Sequence, residues 1–280
     1  MPQTVLVTGA SGFIGSALVR RLRVQGIEAV GVARHPGSDG RTIEVSDYET
    51  IAPPAGATIV HLAEARDVGA VEHASEAMAR TLPVVRSILS KGIGRFVYAS
   101  SAVVYGDRDA RPRREDDVAA ARNKYAENKL ACEREVLARG GAVARLANTY
   151  GPGMAPNNLV SDILRQLRQT GPVELRALAP VRDWIWVDDV ADALVAMAVR
   201  NASGIYNVGS GEGISAGDLA QELLSIDGQP GRPIVARDKA QVPSTLVLDI
   251  AKARRDLEWQ PKMSRAVGLT SLVMALGNRA

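Results

Sequence analysis

The chain contains a single cysteine, Cys132, in 280 residues. An intramolecular disulfide and a cysteine-rich metal site are therefore excluded, and the composition fits a reducing compartment. Cys132 falls in a helical pattern, where a thiol packs as a small inert hydrophobe. Aromatics are scarce at 4%, so packing must rest on Ala, Val, Leu and Ile. No single sign of charge dominates: 34 basic side chains face 31 acidic ones, for a formal net charge of +3. The densest basic stretch, RDARPRR over residues 108–114, is broken by Asp109 and Pro112 and followed at once by Glu115, Asp116 and Asp117. That is the pattern of a solvated loop, and the clustered basic and aromatic face that reads nucleic acid is missing. Nor is there an apolar run of the roughly 20 residues that span a bilayer, or a charged leader before the first apolar stretch. These absences predict a cytoplasmic protein with no nucleic acid and no membrane partner.

What is present is the composition of a folded domain, 46% hydrophobic and 23% charged. Short β-branched runs alternate with amphipathic stretches. Strands are predicted over residues 4–8, 29–33, 42–45, 58–62, 96–100 and 142–146, and helices over 12–25, 72–91, 124–139 and 161–170. Near-continuous apolar strands such as TIVHL and RFVYAS imply burial on both faces. The fold class is α/β, a Rossmann-type doubly wound parallel sheet. After Gly151 the pattern loosens, with Gly and Pro at GPGMAPNN and QPGRP. A first domain over residues 1–150 and a smaller C-terminal lobe over 151–280 follow. Segments near 181–209 return to the main sheet, because RDWIWV and GIYNVG read as strands and 187–199 as a helix. The two lobes should interleave around a cleft.

The first strand runs into Gly9-Ala10-Ser11-Gly12-Phe13-Ile14-Gly15, and a helix follows. Glycines permit a tight turn and close approach of a pyrophosphate, whose charge suits the amino end of the helix. A tight βα turn without ligand would use the same residues, but strand before and helix after are the context a dinucleotide site requires. An NAD site usually places Asp or Glu at the end of the second strand; here stand Ala33, Arg34 and His35. A guanidinium there suits a 2′-phosphate and favours NADP over NAD, although a solvated arginine at a strand end looks the same.

Tyr125 and Lys129 lie four apart in the helical stretch KYAENKLACERE and so share a face. A free phenol titrates near pH 10, and an adjacent ammonium favours its charged form, so the pair has the makings of an acid and base. Alone, such a pair is also an ordinary surface contact. The weight shifts with FVYASSAVVYG over residues 96–106. That buried strand ends in Ser100 and Ser101 at the carboxyl edge of the sheet, where ligands bind in this architecture.

The motifs TGASGFIG, HLA, YASSAVVYG, YAENK, RLANTYGPG, RDWIWVDDVADA and YNVGSGEG, in this order over nearly the whole chain, resemble the extended short-chain dehydrogenase/reductase family. Within it they are similar to the nucleotide-sugar epimerases, dehydratases and reductases. The resemblance implies that Tyr125 is the acid/base, Ser101 the hydroxyl on the reacting sugar oxygen, and Lys129 the residue holding the nicotinamide ribose. Ser101 is preferred to Ser100, which borders the cofactor, because it stands four residues before Tyr105. The resemblance also places Glu44 and Val45 at the adenine edge and His61, Leu62 and Ala63 along the cofactor. On the substrate side it assigns Asn148, Asn158, Leu159 and Arg182 to a sugar diphosphate. Asn158 and Arg182 could equally be a helix cap and a salt-bridge partner. A homodimer through a four-helix bundle is implied as well, with Ala74, Ala77, Ala126 and Ala131 permitting close packing.

Departures from the family pattern narrow the activity. The 4,6-dehydratases carry Asp-Glu just after the catalytic hydroxyl, and this chain has Ala102-Val103. Asp249-Ile250-Ala251-Lys252-Ala253 is present, but Arg237 does not stand at the usual spacing before it for a second phosphate contact. The resemblance thus implies a nucleotide-diphosphate sugar as substrate, with NADP or NAD as cofactor. The expected reaction is hydride transfer at C4, by a 4-epimerase or a 4-keto reductase. A catalytically inactive sensor or scaffold of the same fold would have lost Tyr125 or Lys129, and both remain.

Overall fold

The computed structural model describes residues 4–35, 42–64, 80–238 and 244–277. The central sheet is parallel and seven-stranded. It is formed by β1 (Val5–Thr8), β2 (Ala29–Ala33), β3 (Thr42–Glu44), β4 (Thr58–His61), β5 (Arg95–Ser101), β6 (Ala142–Leu146) and, after a long excursion, β10 (Gly204–Val208). Its spatial order is β10-β6-β5-β4-β1-β2-β3. The order reverses between β1 and β4, which opens a crevice at their carboxyl ends, the place where this architecture binds ligands.

Helices cover both faces. On one, α1 (Phe13–Val24) and α5 (Val187–Val199) bury Leu18, Leu22, Val190, Leu194 and Met197 against Val5, Val7, Val60 and Val97. On the other, α2 (Thr81–Leu89) and α3 (Lys124–Leu137) bury Val85, Ile88, Cys132 and Val136 against Leu6, Ile59, Phe96 and Tyr98. Residues 65–79, with Ala74 and Ala77, lie outside the described residues; of the helix predicted over 72–91 the described part is helical over Thr81–Leu89. Ala126 is fully buried within the chain's own core. It therefore offers no packing surface to a second copy.

The excursion builds a second core. Its elements are β7 (Asn148–Tyr150), α4 (Leu159–Leu167), β8 (Val173–Leu175) and β9 (Val181–Trp186) before α5, joined after β10 by β11 (Gly213–Ser215), α6 (Ala216–Ile226), β12 (Ile234–Ala236) and α8 (Arg265–Gly277); β13 (Thr245–Leu246) and α7 (Ala251–Leu257) bury Leu246, Ala253 and Leu257 in the main core. β9 pairs with β7, β11 and β13, not with the main sheet as its apolar sequence suggested. Its Trp184 and Trp186 pack with Leu219 and Leu223 of α6 and Leu269 of α8. α4 starts at Leu159, two residues before its predicted start, because Asn158 forms a reciprocal capping box with Ser161.

The acidic residues of RDWIWVDDVADA join the two cores. Asp183, 1% exposed, accepts from Ser210 N at 2.8 Å and Gly211 N at 3.1 Å. Asp189 accepts from Lys262 N at 2.9 Å and Met263 N at 3.0 Å. Burial raises both carboxyls above the usual range, opposed by these N–H donors.

Inside the main sheet, Arg145 on β6 meets Glu133 on α3 at 2.7 Å, and the two side chains are 5% and 2% exposed. Removing one member of such a pair strands the other charge in the core. Glu133→Ala should therefore cost about 3–5 kcal/mol of unfolding free energy, read from a urea transition. Glu133→Gln, which keeps an oxygen facing the guanidinium, should cost less.

Candidate active site

β1 delivers the chain to Gly9, whose φ is +71°. A Cβ there would stand 2.9 Å from Ala63 N, and one on Gly15 would stand 2.1 Å from Gly9 O. The turn and the seating of α1 against it both demand glycine. Gly12 caps α1 with extended backbone and no side-chain hydrogen bond, and the first turn carries no acidic residue. The amino end of α1 thus keeps free N–H groups and an uncompensated positive dipole. Gly9, Gly12, Phe13, Ile14 and Gly15 border a cavity of about 670 Å³. Gly9 and Gly12 also border a second, of about 550 Å³, which extends to Arg34 and Asp47. The loop has the space, the donors and the field that a dinucleotide pyrophosphate needs.

Arg34 lines the second cavity together with His35 and Arg80. Glu44 and Val45 do not; Ser46 and Asp47 form that wall instead. The reason is that β3 ends at Glu44 and Val45 packs, partly buried, against the core on that face of the sheet. Asp47 is itself a cap, accepting from Glu49 N at 3.0 Å. Leu62 and Ala63 line the cavity, but the His61 ring lies below it, 1% exposed, near Phe96 and Tyr98. Its Nδ1 is 2.8 Å from Thr8 Oγ1, and that oxygen accepts from Leu62 N at 3.2 Å and Ala63 N at 3.3 Å. His61 therefore supports the turn that faces Gly9 and does not line the cavity. Burial, and secondarily the Lys129 ammonium, push its imidazole down to about 3.

Asn123 starts α3 by accepting from Ala126 N at 2.8 Å, which fixes the helix register. Tyr125, Lys129 and Ser101 then border the larger cavity together. Lys129 Nζ donates to Ala99 O at 2.7 Å and pairs with Glu64 Oε2 at 2.5 Å. It lies 4.8 Å from the Tyr98 ring centre and 5.6 Å from that of Tyr125. Burial alone would lower its pKa, yet Tyr125 and Glu64 leave it raised. Among the described residues Ser101 Oγ accepts only a long contact from Val103 N, 3.4 Å, so its proton is free for another acceptor. Ser100 borders the cavity but donates its hydroxyl to Glu133 in the core.

Asn148 and Asn158 reach the larger cavity, and Leu159 does not. The Asn158 amide is occupied at both ends, accepting from Ser161 N at 3.0 Å and donating to Ala155 O at 2.8 Å. Arg182 also lines the cavity, paired with Asp107 at 3.1 Å and donating to Ser244 Oγ at 2.7 Å. Burial lowers its pKa, against the opposing carboxylate. Arg237 bonds Glu174 at 3.1 Å and borders neither cavity. Sequence reasoning missed Glu64, Asp107, Arg122 and Trp184, all on the cavity wall. Glu64 and Trp184 adjoin or lie within singled-out motifs, so position alone could have flagged them. Asp107 and Arg122 arrive through loops with no periodic signal.

The NAD dependent epimerase/dehydratase family model matches residues 5–209. A UDP-glucose 4-epimerase of Corynebacterium glutamicum is 26% identical, with 92% of this chain and 91% of that protein covered. A dTDP-6-deoxy-L-talose 4-dehydrogenase (NAD(P)(+)) of Kitasatospora kifunensis is 28% identical over 93% and 92%. The solved structure of MoeE5 in complex with UDP-glucuronic acid and NAD superimposes with a TM-score of 0.82. It is 28% identical and covers 99% of this chain and 100% of that one. Other relatives are a decarboxylase and a 4,6-dehydratase.

The buried imidazole makes stability depend on pH. Between the unfolded value of 6.5 and the folded value of about 3, the unfolded chain binds a proton that the native chain excludes. Stability from this group is complete above 6.5 and is lost as pH falls toward 3, by roughly 5 kcal/mol at most. Urea midpoints from about pH 7 to about pH 4 should fall less steeply in His61→Asn than in the wild type.

Proposed function

We propose that this chain, which belongs to the NAD dependent epimerase/dehydratase family, moves hydride between a nicotinamide and C4 of a nucleotide-diphosphate sugar. The observation that carries this reading is the presence of Tyr125, Lys129 and Ser101 on one cavity with the glycine loop. The loop and the amino end of α1 would hold the pyrophosphate, Arg34 the adenosine end, and Lys129 the nicotinamide ribose. Residues 151–280 would supply most of the sugar-nucleotide contacts, with Asn148 contributing from the edge of that lobe. A bound nicotinamide supplies the hydride acceptor or donor.

The chain's own residues handle the proton. Tyr125 takes it from the sugar hydroxyl as that carbon is oxidised and returns it on reduction, with the Lys129 charge close by throughout. Ser101 donates a hydrogen bond to the same sugar oxygen and orients it. Elimination of water would need a further acid and base beside the sugar. Ala102 and Val103 follow Ser101, while Asp107 and Glu64 are engaged with Arg182 and Lys129. These features favour a 4-epimerase or 4-keto reductase over a dehydratase.

The two courses differ in what becomes of the dinucleotide. An epimerase retains it and returns hydride to the opposite face; a reductase uses it once and releases it. Arg34 and Arg80 at the adenosine end, with no carboxylate closing β2, support NADP. Denaturing the purified protein and identifying any released dinucleotide, alongside titration with NADPH and NADH, separates the two. Retained NAD makes the chain an epimerase and Arg34 a bystander. An empty protein preferring NADPH makes it a reductase.

Tyr125→Phe removes the proton carrier and keeps the ring. It should bind the dinucleotide within about twofold of wild type and lose at least about a hundredfold in turnover. Full turnover in this variant would exclude Tyr125 as the acid/base.

A further inference from the structure

Glu64 is the one carboxylate that borders both cavities, among the described residues. It follows β4 directly, and its backbone approach is fixed because Thr8 Oγ1 holds the N–H groups of Leu62 and Ala63. Its side chain is only 10% exposed. One oxygen, Oε2, pairs with Lys129 Nζ at 2.5 Å. The other, Oε1, is buried with no hydrogen-bond partner among the described residues. A carboxylate oxygen left this way carries a desolvation cost that a bound donor would remove.

The chemistry of that donor is restricted. A carboxylate accepts and cannot donate, and it repels phosphate, so a pyrophosphate at the nearby glycine loop cannot be its partner. A ligand stretching from the Arg34 end to Tyr125 must cross the boundary between the cavities beside Glu64. The groups of a dinucleotide flanking its pyrophosphate that can donate are ribose hydroxyls. Lys129, which shares the carboxylate, borders only the larger cavity with Tyr125, so the ribose in question is the one next to the nicotinamide. Lys129 also has one N–H left after Ala99 O and Glu64 are served. Ammonium and carboxylate together present a donor and an acceptor to a cis-diol.

We propose that Glu64 is a cofactor-binding residue, its free oxygen accepting a hydrogen bond from a hydroxyl of the nicotinamide-side ribose while its other oxygen positions Lys129. The inference rests on the reading of this cleft as a dinucleotide site. Its consequence is that affinity for the cofactor's second ribose depends on a carboxylate, whereas affinity for the adenosine diphosphate half does not.

The test compares two ligands that differ by that ribose, ADP-ribose and ADP, each as its 2′-phosphate if the protein prefers NADPH. Binding is measured by calorimetry. Glu64→Gln should weaken ADP-ribose about tenfold and leave ADP within about twofold. Glu64→Asp keeps the charge opposite Lys129 and withdraws it by one methylene; it should show the same selective loss in a protein of near wild-type stability. Equal weakening of both ligands would mean a general disturbance of the cleft, and no weakening of either would mean that Glu64 only balances Lys129. Both results overturn the assignment. A wild-type protein that binds neither ligand, and neither NADH nor NADPH, would instead remove the dinucleotide site itself, and the role of Glu64 with it.

Discussion

A buried ammonium organises the working face of this molecule. Lys129 is 4% exposed, and an uncompensated charge at that depth would cost several kcal/mol. Its compensation comes from β5, through the Ala99 carbonyl and the Tyr98 ring, from the Glu64 carboxylate after β4, and from the Tyr125 ring one turn earlier on α3 itself. The contacts with β5 and Glu64 fix α3 against its neighbours. A one-residue slip of α3 would turn Lys129 by about 100° and break both, so the Asn123 cap that sets the register is also a condition of the site. The same charge adds to burial in keeping His61 neutral. A neutral imidazole can accept a hydrogen bond from the Thr8 hydroxyl, which leaves that oxygen's lone pairs free to hold the turn at Leu62 and Ala63. One cation therefore reaches, through a histidine and a threonine, the backbone that presses against Gly9.

Buried polar groups help tie the second core to the first. Asp183 and Asp189 accept from the loops at 210–211 and 262–263, and Asn207 on β10 joins three segments at once. Its amide donates to Arg113 O at 2.8 Å and Asp249 O at 3.0 Å, while its oxygen accepts from Tyr105 at 2.8 Å. Such groups are costly to bury unpaired, so they admit few alternative arrangements. The wall carrying Trp184 and Arg182 is thereby held in register with the wall carrying Ser101.

The parts of this molecule legible in sequence were those encoded locally. The glycine turn, the near-continuous apolar run of β5, and the four-residue spacing of Tyr125 and Lys129 each depend on neighbours within a few positions. The sheet and most of its strands follow from them. What escaped was set at a distance. β9 reads as a strand returning to the main sheet, yet it packs with α6 and α8 in a different layer. Glu44 and Val45 fell two residues short of the cavity wall because the length of β3 is decided by its pairing with β2. His61 looked like a cofactor contact, and only the depth of β4 shows that its ring lies underneath. Asn158 and Arg182 sit where the pattern put them, but their polar atoms are already engaged by Ser161 and Asp107, which no spacing rule reports.

The adjacent serines show how a site and a core can share one strand. Successive side chains on β5 point to opposite faces of the sheet, and this strand is covered on both. If one hydroxyl is to reach the cavity, its neighbour must be buried with a partner. Ser100 finds that partner in Glu133, and Glu133 in turn needs Arg145, whose guanidinium lies 4.5 Å from the centre of the Tyr105 ring. Tyr105 ends the short turn that begins just after Ser101 and shapes the approach to it. The buried ion pair thus belongs to the same requirement as the exposed hydroxyl: a polar strand end can face a ligand on one side only if the core on the other side answers it.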